Sequence, residues 1–226
     1  MLVKNWMSKS VITIDADDSM SQAISLIREH KIRMLPVLRK GKLVGVLSNT
    51  DLKRASASDA TSLDVHELLY LISKVKVKDI MTKEIITIPF DFTVEEAALL
   101  LIEKKISGAP VVDEKGRLVG IITRDDLLKV LISLSGFGKK GIQFALQIED
   151  RPGSIKDVTD IIRSYGGRIA SVLGTYESAP AGFRRVYVRA YDIERERMEQ
   201  LKEELKQAAT MLYMVDHREN KREIYS

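Results

Sequence analysis

Val3-Lys4-Asn5-Trp6-Met7-Ser8-Lys9 returns 74 residues later as Val77-Lys78-Asp79-Ile80-Met81-Thr82-Lys83. At the same offset Ile12-Thr13-Ile14 returns as Ile86-Thr87-Ile88, and 15 of the 37 positions from Val3 to Arg39 are identical in the copy from Val77 to Asp113. One extra residue then moves the offset to 75, and Gly41-Lys42-Leu43-Val44-Gly45 matches Gly116-Arg117-Leu118-Val119-Gly120. Self-similarity at a fixed period, across segments of mixed composition, marks a duplicated structural unit.

Both copies carry the same local signals. A short β-branched stretch, Val11 to Ile14, reads as a strand. Met20, Ala23, Ile24 and Ile27 then share one face of a helix, as do Val94, Ala97, Ala98 and Leu101 in the second copy. Each helix opens with a capping pattern, Ser19-x-x-Gln22 and Thr93-x-x-Glu96. Two apolar segments follow around a tight turn, Leu35–Leu38 with Leu43–Leu47 and Ala109–Val112 with Leu118–Ile122; Gly41 and Gly116 supply the permissive backbone. A further helix begins near Asp51 and Asp126. The predicted order is strand, helix, strand, strand, helix. A unit of about 55 residues is marginal alone, so the copies are expected to pack sheet to sheet about a pseudo-two-fold axis, creating two equivalent clefts. Val65, Leu68, Leu69 and Ile72 predict a connecting helix within 61–76.

Composition narrows the function. The 226 residues are 45% hydrophobic, enough for a sizeable core, and their 36 Lys and Arg face 32 Asp and Glu. The net charge divides evenly between the parts before and after Lys139, so no basic stripe points to nucleic acid. The absence of cysteine removes disulfides and thiolate chemistry, and His30, His66 and His217 lie too far apart in sequence for a metal motif. No apolar run approaches the roughly 18 residues of a membrane span, and the N-terminus has no signal-peptide core. The expected location is cytoplasmic, with no membrane partner, no metal and no catalytic cofactor.

The candidate chemistry sits after the third strand of each copy, in Gly45-Val46-Leu47-Ser48-Asn49-Thr50-Asp51 and Gly120-Ile121-Ile122-Thr123-Arg124-Asp125-Asp126. A hydroxyl at a strand end, beside the free N–H groups of a starting helix, suits a phosphate. A carboxylate three residues on accepts hydrogen bonds from paired ribose hydroxyls. The same pattern also fits plain helix caps, and both readings stand at this point. The copies differ, because Thr50 is replaced by Asp125, whose charge repels phosphate. Arg33, Lys53 and Arg54 supply positive charge near the first motif.

From Val3 to about Ser135 the chain resembles a tandem pair of CBS domains, the Bateman module. The resemblance rests on the V-K-x-x-M-[ST] opening, the I-T-I strand, the Leu35-Pro36-Val37-Leu38 and Ala109-Pro110-Val111-Val112 strands, and the L-V-G-x-x-[ST]-x-x-D ending, all in both copies. It implies regulatory binding, without turnover, of AMP, ATP or S-adenosylmethionine. Ser48, Thr50 and Asp51 would hold the phosphate and ribose at one site, and Thr123 and Asp126, with Arg124 beside them, at the other. Thr13, Ile14, Met34, Leu35 and Pro36, and in the second copy Thr87, Ile88, Gly108, Ala109 and Pro110, would line base pockets.

Beyond a glycine-basic linker at 136–141 the pattern changes. Gln143–Ile148 reads as a strand, and a helix follows with Ile155, Val158, Ile162 and Tyr165 on one face. Arg168–Tyr176 and Phe183–Ala190 read as strands, Met198, Leu201, Leu205 and Ala208 mark a second helix, and Met211–Val215 is a last strand. This βαββαβ order is ferredoxin-like. Its first strand–helix turn, Asp150-Arg151-Pro152-Gly153-Ser154-Ile155, resembles that of ACT domains, which implies amino-acid binding at Asp150, Arg151, Gly153, Ser154 and Ile155; a plain turn and cap explain the same residues.

The expected fold class is thus α/β in the α+β sense, a repeat pair (1–60 and 77–135) followed by an ACT-like domain (142–216) and a charged tail (217–226). The whole is similar to acetoin-utilisation-type proteins. The expected function is a non-enzymatic sensor, homodimeric, acting on an unidentified regulated protein, with a ligand-free interaction protein or, less well supported, a nucleotide-processing enzyme as alternatives.

Overall fold

The opening motif of each repeat leaves its own repeat and completes the other. In the structure, a computed structural model describing residues 1–59 and 72–225, Val3 N–H donates to Phe92 O at 2.8 Å and Lys4 N–H to Phe90 O at 2.9 Å. Ser8 and Ile121 exchange two backbone hydrogen bonds at 2.9 and 3.0 Å. The second opener mirrors this. Val77 and Lys78 donate to Asp18 O and Ala16 O, and Thr82 pairs reciprocally with Val46 at 2.9 and 3.0 Å. Val3 is fully buried in the core of the second repeat and Val77 in that of the first.

This exchange explains a glycine in each motif. A Cβ on Gly45 would sit 2.4 Å from Met81 Sδ and 3.1 Å from Thr82 O; on Gly120 it would sit 2.4 Å from Met7 Sδ and 3.1 Å from Ser8 O. The glycine of L-V-G and the methionine of V-K-x-x-M are therefore two sides of one contact between repeats.

Within the first repeat β1 (Ile14–Asp15) pairs parallel with β2 (Met34–Arg39), which pairs antiparallel with β3 (Lys42–Ser48). The second repeats this with β4 (Ile88–Pro89), β5 (Gly108–Val112) and β6 (Leu118–Thr123). The first strand is shorter than the sequence predicts. Residues 11–13 are in transit from the opener, and only Ile14 and Asp15 reach partners on β2. Helices α1 (Met20–Glu29) and α4 (Val94–Glu103) both carry complete capping boxes. Ser19 N–H donates to Gln22 Oε1 at 2.8 Å and Thr93 N–H to Glu96 Oε2 at 2.7 Å, satisfying donors that a helix start leaves bare. Their apolar faces close cores around Met20, Ala23, Leu35 and Leu47, and around Ala97, Leu101, Ala109 and Ile122. Helices α2 (Asn49–Asp59) and α5 (Arg124–Leu134) follow the third strands, and α3 (Val77–Ile80) is the second opener. The expected connecting helix at 61–76 lies mostly outside the described residues; 72–74 are helical.

Contacts divide the chain into Met1–Leu127 and Leu128–Ser226. The second unit is a five-stranded antiparallel sheet in the order β11-β10-β7-β9-β8, from β7 (Ile142–Glu149), β8 (Arg168–Thr175), β9 (Phe183–Tyr191), β10 (Thr210–Asp216) and β11 (Lys221–Ile224). Without β11, this is the ferredoxin-like order of a βαββαβ chain. Helices α6 (Ser154–Ser164) and α7 (Met198–Ala208) cover one face, with Phe144, Leu146, Val186, Val188, Ile162 and Leu205 in the core. Gly166, at φ +78°, follows the end of α6 in the left-handed conformation that glycine favours. The charged segment 217–226, expected as a tail, is corrected: Lys221–Ile224 pairs with β10. Alternation puts Glu223 toward Lys202 of α7, 3.0 Å away, and this ion pair holds a strand whose charges disguised it in the sequence.

Candidate functional site

At the end of β3 the chain turns directly into α2, and Ser48 and Asp51 bind each other across the junction. Ser48 N–H and Oγ donate to Asp51 Oδ2 at 2.8 and 2.6 Å, and Asp51 N–H returns a bond to Ser48 Oγ at 3.3 Å. Thr123 and Asp126 reproduce the arrangement at 3.0, 2.7 and 3.3 Å. Both carboxylates are buried, 7 and 8% exposed. The helix-cap reading of the motif is thus realised, and it also fixes each carboxylate rigidly. Among the described residues the other oxygen of Asp51, Oδ1, receives a long bond from Thr82 Oγ1, 3.3 Å, and lies 3.8 Å from Arg54 Nη1.

A cavity of about 430 Å³ opens at this junction. Met34, Ser48, Thr50 and Asp51 line it from the first repeat, and Gly108, Pro110 and Arg124 from the second. That volume falls in the range of small-molecule pockets, about 300–1,000 Å³. Its walls mix apolar side chains with two anions, Asp51 and Glu84, and two cations, Lys105 and Arg124. A group with both phosphate and hydroxyl functions would find a partner for each.

The structure redistributes several expected residues. Ile14, Leu35, Ile88 and Ala109 are core side chains, each no more than 3% exposed, so they cannot present side chains to a base. Pro36 is buried opposite Val46, and Thr13 and Thr87 are half-buried beyond the lining of this cavity. Arg124, expected beside the second motif, projects instead into the first cavity, its Nη2 3.3 Å from Leu101 O. Arg33 does not line it either: its guanidinium lies 4.0 Å from Asp125 of the second repeat, pairing the carboxylate that distinguishes the second motif from the first. Sequence reasoning missed Thr82, Glu84, Ile86 and Lys105–Ser107. The hydroxyl that ends each V-K-x-x-M-[ST] opener was the available signal, and it gained meaning only once the openers were seen to cross.

In the second unit a cavity of about 660 Å³ lies where β7 turns into α6, lined by Arg151, Ser154, Asp157, Phe183, Lys206 and Tyr225 among others. Arg151 bridges Glu149 and Asp157 at 3.1 and 2.9 Å, so its charge is already matched. Ser154 is buried. Asp150, Gly153 and Ile155 fall outside the lining: Asp150 accepts from Tyr176 Oη at 3.3 Å, Gly153 sits at φ +89° before the helix, and Ile155 packs on the core.

Two homologous repeats that complete each other's sheets and share the walls of a cavity of small-molecule size define a paired module. The CBS domain pattern matches residues 3–58 and 77–133, half of the chain. The chain belongs to the CBS-domain family. Protein MJ1426 of Methanocaldococcus jannaschii is 34% identical over 155 residues, spanning 58% of this chain and 92% of its own. The solved CBS domain pair of protein MJ0100, in complex with 5′-methylthioadenosine and S-adenosyl-L-methionine, is 32% identical, with a TM-score of 0.50 over 58% of this chain and 95% of that one. A Vibrio cholerae protein that carries an acetoin-utilization name, AcuB, is 26% identical, with a TM-score of 0.51 over 59% of this chain and 92% of its own. Among the described residues no helix is long and apolar enough to cross a membrane.

Proposed function

We propose that this chain is a regulatory sensor, without catalysis of its own, whose paired repeats bind an adenosine-containing ligand in the cavity at Ser48 and Asp51. The observation that carries this reading is the cavity's dual ownership: Ser48, Thr50 and Asp51 come from one repeat, and Gly108 and Arg124 from the other. The MJ0100 complex, with two adenosine compounds in a similar domain pair, supplies the ligand class. Asp51 Oδ1 accepts from ribose hydroxyls, Ser48 and Thr50 meet the 5′ substituent, and Arg124 answers an anionic group there. A ligand touching both repeats favours the relative orientation in which both sets of contacts are made, and only that difference in affinity drives a response. The Thr123–Asp126 site, with Asp125 engaged by Arg33, suits a nucleoside without phosphate.

The second unit reads as an ACT-like domain that dimerises the chain and passes the change to a regulated protein. The cavity beside Arg151 and Ser154 supports an amino acid as a second input. A cytoplasmic homodimer is the matching setting.

A thermal-shift panel of AMP, ADP, ATP, S-adenosylmethionine, NAD and the common amino acids tests this on the intact chain. The expected result is a concentration-dependent rise with an adenosine compound, weakened in Asp51→Asn and in Thr50→Val. Thr50 is exposed, so its variant should keep the fold. A rise with amino acids alone would make the second unit the sensor. No rise with any compound would favour an interaction protein, and turnover of a nucleotide would make it an enzyme.

A further inference from the structure

The sheet of the second unit has one face covered by helices, and the opposite face carries a different chemistry. Strand register arranges that face in cross-strand rows. One row runs Arg189–Gln143–Val215–Arg222, and the next Tyr187–Ala145–Tyr213–Ile224. Arg185, opposite Gln147, begins a third. Ala145, the smallest member, separates Tyr187 and Tyr213, whose ring centroids stand 6.3 Å apart. A cavity of about 680 Å³ opens over these rows, floored by Tyr187, Tyr213 and Val215 and edged by Arg185, Arg222 and His217.

The face is cationic and incompletely bonded. Arg189 is 4% exposed; its Nε donates to Ser135 O at 2.7 Å and its Nη2 to Gln143 Oε1 at 3.3 Å, while Nη1 is buried with no partner among the described residues. Arg185 Nε and His217 Nε2 are likewise buried and unpartnered. The three rows contain no Asp or Glu. Buried guanidinium groups ordinarily meet a carboxylate or phosphate, because desolvating an unmatched charge is costly, and arginine is suited to a planar two-oxygen acceptor.

We infer that this sheet face is a second ligand site, distinct from the repeat cavity and the β7–α6 turn, for a small organic carboxylate with an aromatic or branched apolar body. The carboxylate lies among Arg185, Arg222 and His217, which line the cavity, with Arg189 behind them under Phe137, and the body lies over the Tyr187 and Tyr213 rings. An amino acid fits poorly, since nothing in the rows neutralises an ammonium group.

Calorimetric titration of the full chain with 3-phenylpropanoate, L-phenylalanine, 3-phenylpropanamide and inorganic phosphate tests the site. The expected result is sub-millimolar binding of 3-phenylpropanoate, at least tenfold weaker for each of the other three, and at least tenfold weaker in Arg185→Gln. Arg222→Gln, at the edge of the cavity, should weaken it severalfold and keeps the proposal falsifiable should Arg185→Gln fail to fold. Asp51→Asn should bind 3-phenylpropanoate as the parent does, which separates this site from the repeat cavity. Equal binding of acid and amide, of acid and phenylalanine, or of parent and the arginine variants would overturn the proposal. So would an absence of heat at 5 mM ligand, or concentration-dependent dimerisation abolished by Arg222→Gln, which would make the face an interface.

Discussion

Gly45→Ala tests the crossing of the openers. The new methyl group would lie 2.4 Å from Met81 Sδ, 3.0 Å from Met81 Cγ and 3.1 Å from Thr82 O. The thioether can swing aside, but Thr82 O is backbone held by two hydrogen bonds to Val46. Forcing a methyl into such a contact costs about 1–3 kcal/mol. Trimming the far side with Met81→Ala relieves the Sδ and Cγ clashes, so the double variant should recover about 1 kcal/mol relative to the sum of the singles. Pairing Gly45→Ala with Met7→Ala should be additive to within about 0.5 kcal/mol, since Met7 packs in the other core, beneath Gly120. Urea unfolding followed by the fluorescence of Trp6, the only tryptophan, reports on the first unit. Coupling of Gly45 to Met7 instead of Met81 would mean that each opener packs on its own repeat, and the account of the shared cavity would fail with it.

Three further outcomes follow from particular contacts. Ser19→Ala and Thr93→Ala each remove a capping-box acceptor, and each should lower the urea-derived stability of the first unit by about 1 kcal/mol. In the second unit Glu223 is held at about 2, below its ordinary 4.5, first by Lys221 and Tyr225 and then by Lys202, against the opposing effect of burial. A lowered folded-state value gives stability that is full above about pH 4.5 and is lost as pH falls toward 2; after solvent screening this is roughly 1–2 kcal/mol. Far-ultraviolet unfolding curves at pH 5.5 and 2.5 should therefore differ less in Glu223→Gln than in the parent. For the proposed nucleotide site, Arg124→Gln should weaken AMP about tenfold while leaving 5′-methylthioadenosine within twofold, because only AMP offers Arg124 an anion; equal loss for both would remove Arg124 from the phosphate.

The duplication was legible because it is a property of sequence alone, and alternation and helical spacing were legible because burial imposes them locally. Ser19 with Gln22 and Thr93 with Glu96 could be read three residues apart. The opener exchange could not: nothing in Val77-Lys78-Asp79-Ile80-Met81 states which sheet it joins, and Val77 would look the same buried in either core. The placement of some expected site residues was hidden for the same reason. Leu35 and Ala109 lie in matching motifs beside Met34 and Gly108, yet strand alternation turns the first pair into the cores and leaves the second at the cavity. A one-residue step in a strand exchanges interior for lining. The last strand hid because three of its four residues, Lys221, Arg222 and Glu223, are charged, and only the tertiary partner Lys202 makes Glu223 an inward residue.

The exchange also bears on how an input at the cavity could travel. Asp51 belongs to the first repeat, but its Oδ1 meets Thr82, and Thr82 ends the opener of the second. The same opener seats Met81 against Gly45 and Val77 in the first core. A ligand that draws on Asp51 Oδ1 competes for the Thr82 hydroxyl, and one that draws on Arg124 pulls on the start of α5, which runs from the first unit into the second. Along the chain the two pulls act before and after the sheet of the second repeat. Shifting that repeat from mostly one orientation to mostly the other, 1:99 to 99:1, requires a total affinity difference of about 10⁴ between the two states. No single charge-assisted bond of about 1.5–3 kcal/mol supplies that, so the response should need both Asp51 and Arg124. Removing Arg124 alone should leave AMP able to bind, more weakly, but reduce its effect on the second unit even at saturation, measurable as a loss of AMP-induced change in hydrogen exchange along α5. Retention of that change in Arg124→Gln would route the signal through the opener alone.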